Sequence, residues 1–101
     1  MQLIVNRRLQ AYMEENGLNT IVLESVLCRT WAGSHVEVSA SFADEEESNQ
    51  LLANGYQRIP IESGQVLLAP EGLNSKDIVR LGLSNFLWRK IITVEGLQAV
   101  R

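Results

Sequence analysis

The only cysteine and the only histidine of the chain, Cys28 and His35, lie seven residues apart in the segment VLCRTWAGSHVEV. Thiolate and imidazole groups are common ligands of Zn²⁺ and other transition metals. Two ligands are too few for a closed structural zinc site, which needs four, but two copies of the chain would supply four. The alternative is that Cys28 is a small buried apolar residue and that His35 is a polar residue facing solvent at the start of a strand.

Cys28 is also a candidate reactive thiol, because the adjacent Arg29 would favour the thiolate, which is the nucleophilic form. A catalytic pair of Cys28 and His35 would need an orienting acid and an oxyanion hole. Asp44 is the nearest candidate acid beyond the strand that follows His35. The sequence has no phosphate-binding loop, no dinucleotide-binding glycine motif and no nucleophile elbow. We therefore expect a protein that is not an enzyme.

The size and composition of the chain predict one domain over residues 1–101. Hydrophobic residues make up 46% of the chain, and few of them are aromatic. The core should therefore consist of Leu, Ile and Val. A single cysteine cannot form an internal disulfide, which fits the reducing cytoplasm. The first residues do not resemble a signal peptide, and no segment approaches the roughly 20 apolar residues that cross a bilayer. We expect a soluble cytoplasmic protein without a membrane partner.

Charge is unevenly distributed along the chain, although the net charge is only −3. Acidic residues predominate in residues 36–75 and basic residues in residues 76–101. These regions are either ordinary solvated faces, which we favour, or opposite patches that promote self-association. The acidic run DEEE at residues 44–47 is more typical of a solvated face than of a cation site, because consecutive carboxylates do not converge on one ion. Net acidity argues against a nucleic-acid partner.

The first half of the chain predicts one helix and two strands. Residues 6–16 form a helix with Asn6 as its cap and Gly17 after its end. Strands are predicted over 19–27 and 35–42, and residues 28–34 form the loop between them. The second strand alternates apolar and polar residues, which is typical of a half-buried strand. Residues 43–55 are either a short helix or a mobile acidic loop with one helical turn.

The second half predicts two pairs of strands. Residues 56–69 have the pattern of a hairpin, in which Pro60 restricts the first strand to an edge or a bulge. Strands are also predicted over 78–84 and 88–96, joined near the apolar segment NFLW at residues 85–88. We expect that segment to be part of the core rather than an exposed patch, although aromatic residues such as Trp31 and Trp88 are enriched at interfaces. The fold class is α+β, with a mostly antiparallel mixed sheet.

This order of elements, the segment IPIESGQVLLAP and the ending SNFLWRKIITVEGL resemble the HesB-like fold of the A-type iron–sulfur carriers. The chain looks still more like the small CC/Se motif proteins of that fold. The resemblance implies a single HesB-like domain and iron or an iron–sulfur cluster as the cofactor. Cys28 occupies something like the position of the first cysteine of the carriers. However, Arg29 and Thr30 replace the second cysteine and the glycine of the CC/Se motif, and the ending VEGLQAVR has no cysteine.

Three functions are consistent with these observations. The first is a HesB-like protein that handles metal or an iron–sulfur cluster, with Cys28 and His35 as the remaining ligands or with ligands completed across subunits. The second is a metal-free interaction or scaffold module that uses the acidic middle or the NFLW segment. The third is a thiol redox protein that uses Cys28. Because small β-rich domains expose strand edges, we also expect a homodimer or larger homo-oligomer.

Overall fold

The computed structural model describes residues 1–100, and Arg101, the last residue of the predicted domain, lies outside them. The elements of residues 1–100 are, in chain order, β1 (Gln2–Val5), α1 (Arg7–Glu15), β2 (Thr20–Thr30), β3 (Gly33–Phe42), α2 (Glu45–Ala53), β4 (Gln57–Ile61), β5 (Gly64–Leu68), β6 (Leu73–Phe86) and β7 (Arg89–Ala99). No helix of these residues is both long enough and apolar enough to cross a membrane.

The strands form two mixed sheets, with strand orders β1–β6–β7 and β3–β2–β5–β4. Three strand pairs are antiparallel, namely β2 with β3, β4 with β5, and β6 with β7. The pairs β1 with β6 and β2 with β5 are parallel. The predicted α+β class with mostly antiparallel pairing is thus confirmed. Pro60 lies on β4, an edge strand, as expected for a residue that has no N–H to donate.

The predicted first helix is confirmed, and local sequence determines both of its ends. The Asn6 side chain accepts a 2.8 Å hydrogen bond from the backbone N–H of Leu9, which is an N-cap. Gly17 follows the helix with a φ of +65°. The Leu18 N–H donates to the Met13 carbonyl at 2.8 Å, which completes a Schellman motif. Leu9 and Met13 are fully buried, so this helix covers the core.

The acidic middle segment forms the helix α2, and its carboxylates stabilise the helix start. The Asp44 side chain accepts a 2.8 Å hydrogen bond from the Glu47 N–H. The acidic residues of the first turn, Glu45–Glu47, lie where the helix dipole favours negative charge. The helical alternative is therefore correct, and the DEEE run is explained by capping and dipole effects without a bound cation.

One apolar core joins the two sheets and α1. Its buried members are Leu9, Met13, Ile21, Leu23, Val66, Val79, Leu81, Leu83 and Leu97. The edge strands β3 and β7, one from each sheet, lie next to each other. Partly buried side chains of β3, including Val38 and Phe42, pack against the core from the alternating positions that the sequence predicted.

Both long hairpins extend beyond the strands that flank them. β2 pairs with β5 only as far as Leu23, and its remaining residues up to Thr30 pair with β3 alone. β6 likewise pairs with β1 only up to Leu81, so that the rest of the hairpin consists of β6 and β7. The last two residues before each turn, Arg29 and Thr30 on β2 and Asn85 and Phe86 on β6, are exposed.

Two local predictions are wrong because the hairpins are longer than predicted. The expected loop over residues 28–34 is strand except for a two-residue turn at Trp31 and Ala32. The NFLW segment is not part of the core, since Phe86, Leu87 and Trp88 are 64%, 72% and 88% exposed. The physical reason is the same in both places, because neither distal hairpin end has a neighbouring strand that could cover it.

Candidate metal site

The register of the β2–β3 ladder brings the two predicted ligands together. Cys28 lies directly opposite His35, and Val26 lies opposite Glu37. Directly opposed residues share a face of the sheet, and so do residues two apart on one strand. Cys28, His35 and Glu37 therefore project from one face, with Glu37 diagonally across from Cys28. The predicted association of Cys28 with His35 is present as a cross-strand pair within a ladder rather than as a loop.

The three side chains bring their donor atoms close to one another. The Cys28 sulfur, a His35 ring nitrogen and a Glu37 carboxylate oxygen all lie within 4.8 Å of one another. His35 Nε2 donates to Glu37 Oε1 at 2.8 Å. The His35 and Glu37 side chains are 51% and 58% exposed, and Cys28 is half-buried. The cluster is open to solvent on a projecting part of the hairpin.

The Glu37 carboxylate is the electrostatic centre of the cluster. Its pKa is lowered, first by the hydrogen bond from His35 and then by the hydrogen bond from Cys28. The pKa of the Cys28 thiol is raised, first because the thiol donates to Glu37 and then because of desolvation. Without a metal ion, Cys28 therefore retains its proton. Arg29, which was expected to favour the thiolate, lies opposite Ser34 and so is on the other face of the ladder.

This arrangement does not match a catalytic Cys–His pair. In such a pair the imidazole accepts the proton of the nucleophile and an acid orients the imidazole from its other side. Here the thiol and the imidazole each hydrogen-bond to the Glu37 carboxylate. Asp44, the orienting acid suggested by the sequence, instead caps α2. The raised pKa of Cys28 also disfavours a redox-active thiol.

The donor set fits a transition-metal ion. One sulfur, one imidazole nitrogen and one carboxylate oxygen are ligands used by Zn²⁺ and Fe²⁺. In a tetrahedral site with the usual metal–ligand lengths, neighbouring ligand atoms lie about 3.5 Å apart. The three donor atoms lie within 4.8 Å of one another, so they are close to that spacing before any ion binds. Three protein ligands leave one coordination position open.

Glu37 is a candidate ligand that the sequence alone did not reveal. The pattern His35–Val36–Glu37 contained the information, since alternation along a strand places the first and third residues on the same face. That face could be matched to Cys28 only after the register of β2 and β3 was known.

Comparison with protein-family models, with curated proteins and with solved structures finds no match to this chain. The chemistry of Cys28, His35 and Glu37 and their position in the fold are therefore the basis for inferring function.

Proposed function

We propose that this protein is a non-enzymatic metal-handling protein that binds one divalent transition-metal ion, Fe²⁺ or Zn²⁺, through Cys28, His35 and Glu37. The observation that carries the proposal is the convergence of three chemically different ligand groups within 4.8 Å on one sheet face. Cross-strand neighbours are held in place by the backbone ladder, so little ordering is needed when an ion binds.

The position of the site favours exchange of the ion over a structural role. The three ligands lie on the distal hairpin, apart from the buried core that joins the two sheets. The fold therefore does not require the ion, in contrast to structural zinc domains that unfold without it. An exposed site with an open fourth position also allows another molecule to approach the ion and take it up.

We further propose that the fold is HesB-like and that the metal it carries is iron or an iron–sulfur cluster. It is supported by the order of elements and by Cys28 near the end of β2. Iron–sulfur clusters are held mainly by cysteine thiolates. With one cysteine per chain, cluster binding would require a homo-oligomer in which two copies each provide Cys28. A cytoplasmic location is part of this proposal, since the thiol must remain reduced to bind metal.

The direct test is anaerobic titration with Co²⁺, whose thiolate complexes absorb strongly, followed by competition with Zn²⁺ and Fe²⁺. We expect a sulfur-to-cobalt band in the wild type and its loss in Cys28→Ser. We also expect His35→Gln and Glu37→Gln to weaken binding by at least about tenfold, as removal of a ligand bond should. Glu71→Gln, in the loop between β5 and β6, is the control that removes an exposed carboxylate elsewhere.

Two results would contradict the proposal. If the wild type shows no thiolate band, or if Cys28→Ser binds Co²⁺ as tightly as the wild type, the three residues are not a metal site. Reconstitution with iron and sulfide tests the cluster separately, with the oligomeric state measured by light scattering. Equal and negligible iron uptake by the wild type and Cys28→Ser would exclude cluster transport. Binding of one Zn²⁺ by a monomer would still support the single-ion site.

A further inference from the structure

The end of the β6–β7 hairpin exposes three large apolar side chains in succession. Phe86, Leu87 and Trp88, which we call the FLW tip, are 64%, 72% and 88% exposed. Leu87 and Trp88 form the two-residue turn itself, since Phe86 pairs with Arg89. Single exposed apolar residues are ordinary, but a contiguous apolar group at the end of a projecting hairpin indicates a contact surface.

The backbone of this turn is strained at Leu87. Leu87 has a φ of +58° and is the only non-glycine residue with positive φ in residues 1–100. Two-residue hairpin turns favour Asn-Gly or Asp-Gly, because those residues tolerate positive φ. A leucine in this conformation costs about 1–2 kcal/mol. Local backbone stability therefore does not account for a leucine at position 87, and backbone strain of this kind is concentrated at functional sites.

Two cations adjoin the FLW tip. Arg89 and Lys90 follow Trp88 directly, and both are exposed. Lys90 Nζ donates to Asn85 Oδ1 at 2.9 Å, which holds the ammonium beside the turn without neutralising it. Residues 84–91 contain no acidic residue, so the charged side chains of this hairpin end are both cations although the chain has a net charge of −3.

We propose that the FLW tip docks on an anionic lipid bilayer, inserting Leu87 and Trp88 at the headgroup level while Arg89 and Lys90 contact lipid phosphates. Tryptophan is favoured at membrane interfaces, and each basic residue near an anionic surface strengthens attraction to it. The convex shape of the tip supports this partner over a protein. Stable protein interfaces bury about 800 Å² on each side, far more than one turn offers, whereas a bilayer deforms around a small insertion.

Such docking is compatible with the absence of a spanning helix from residues 1–100. The sequence-based expectation of no membrane partner considered only segments long enough to cross a bilayer. Peripheral, reversible docking combines the burial of apolar area with electrostatic attraction to anionic lipids. The β6–β7 ladder between Arg80 and Phe86 holds the tip at the end of a rigid ribbon. This proposal does not rest on the metal site, which lies on the other hairpin.

The test uses the full chain with vesicles of phosphatidylcholine alone or with added phosphatidylserine. In a Trp31→Phe background, Trp88 is the only tryptophan, and its emission should shift to the blue with anionic vesicles and be quenched by brominated lipids. Leu87→Ala and Trp88→Ala should lower vesicle partitioning at least about tenfold. The double variant Arg89→Gln/Lys90→Gln should lower it on the order of tenfold, and salt should have a similar effect.

Two matched variants serve as controls. Arg7→Gln/Arg8→Gln removes two exposed cations from α1, and Leu52→Ala removes a partly exposed leucine from α2. Neither should change partitioning if the FLW tip is the docking site. Circular dichroism should show that all variants fold, since the substituted side chains are exposed. An unshifted Trp88 emission with anionic vesicles would overturn the proposal. Equal losses in the control variants, or a Trp88 shift produced by a protein partner but not by vesicles, would also overturn it.

Discussion

The Tyr56 hydroxyl donates a 2.7 Å hydrogen bond to the Glu24 carboxylate, across 32 residues of sequence. This contact joins the start of the β4–β5 hairpin to β2. It raises the pKa of Tyr56 to about 12, mainly because the neutral hydroxyl donates a hydrogen bond to the carboxylate, and further because of desolvation and the negative charge of Glu24. In a Tyr12→Phe background, we expect Glu24→Gln to lower that pKa towards 10. Absorbance of tyrosinate as a function of pH measures the change. An unaltered titration would show that the hydrogen bond is absent in solution.

The same contact makes the free energy of unfolding depend on pH at alkaline values. The folded pKa of Tyr56 lies above its ordinary value of 10.0, so the stabilisation is complete below pH 10 and is lost as pH rises towards about 12. Urea unfolding at a series of pH values should show this decline in the wild type. Glu24→Gln should show a flatter profile, and a profile identical to the wild type would contradict the assignment.

Glu37 should control the reactivity of Cys28 in the metal-free protein. The carboxylate raises the pKa of the thiol by accepting its hydrogen bond and by repelling the thiolate charge. We therefore expect Glu37→Gln to lower the pKa of Cys28 and to increase its alkylation rate by iodoacetamide at mildly alkaline pH. Glu71→Gln should leave the rate unchanged. Equal alkylation rates in the wild type and in Glu37→Gln would show that Glu37 does not interact with Cys28 in solution.

Two glycines with positive φ should tolerate alanine differently. A Cβ at Gly64 would collide with the carbonyl oxygen of Asn19, which also accepts a 2.8 Å hydrogen bond from the Gln65 N–H. A Cβ at Gly33 would meet no atom within 4 Å. We expect Gly33→Ala to lower the free energy of unfolding by roughly 1–2 kcal/mol, and Gly64→Ala to lower it by more than about 3 kcal/mol. Chemical denaturation measures both, and equal losses would contradict the steric argument.

Replacing Leu87 with glycine should increase the free energy of unfolding and weaken docking to vesicles. Leu87→Gly relieves the positive φ and should raise the free energy of unfolding by about 1 kcal/mol. The same substitution removes an apolar side chain from the FLW tip and should weaken partitioning to anionic vesicles. Thermal melting and vesicle sedimentation of one sample test both effects. A loss of stability would indicate that Leu87 makes packing contacts that its 72% exposure does not suggest.

The features that the sequence predicted correctly depend on neighbouring residues. Asn6 and Gly17 marked the ends of α1 because a cap is formed with backbone groups three to five residues away. Pro60 indicated an edge strand because it lacks an N–H. The alternation in residues 35–42 identified the half-buried face of β3 because successive strand residues point in opposite directions.

By itself, the sequence determined the α+β class and the ends of α1, and it pointed to Cys28 and His35 as candidate metal ligands. Only the tertiary structure decided that Glu37 joins them, because register is set by pairing between strands and not by the residues of either strand. It also decided that the FLW tip faces solvent. An apolar segment is buried only if another element covers it, and β1 ends its pairing with β6 at Leu81, before the tip is reached.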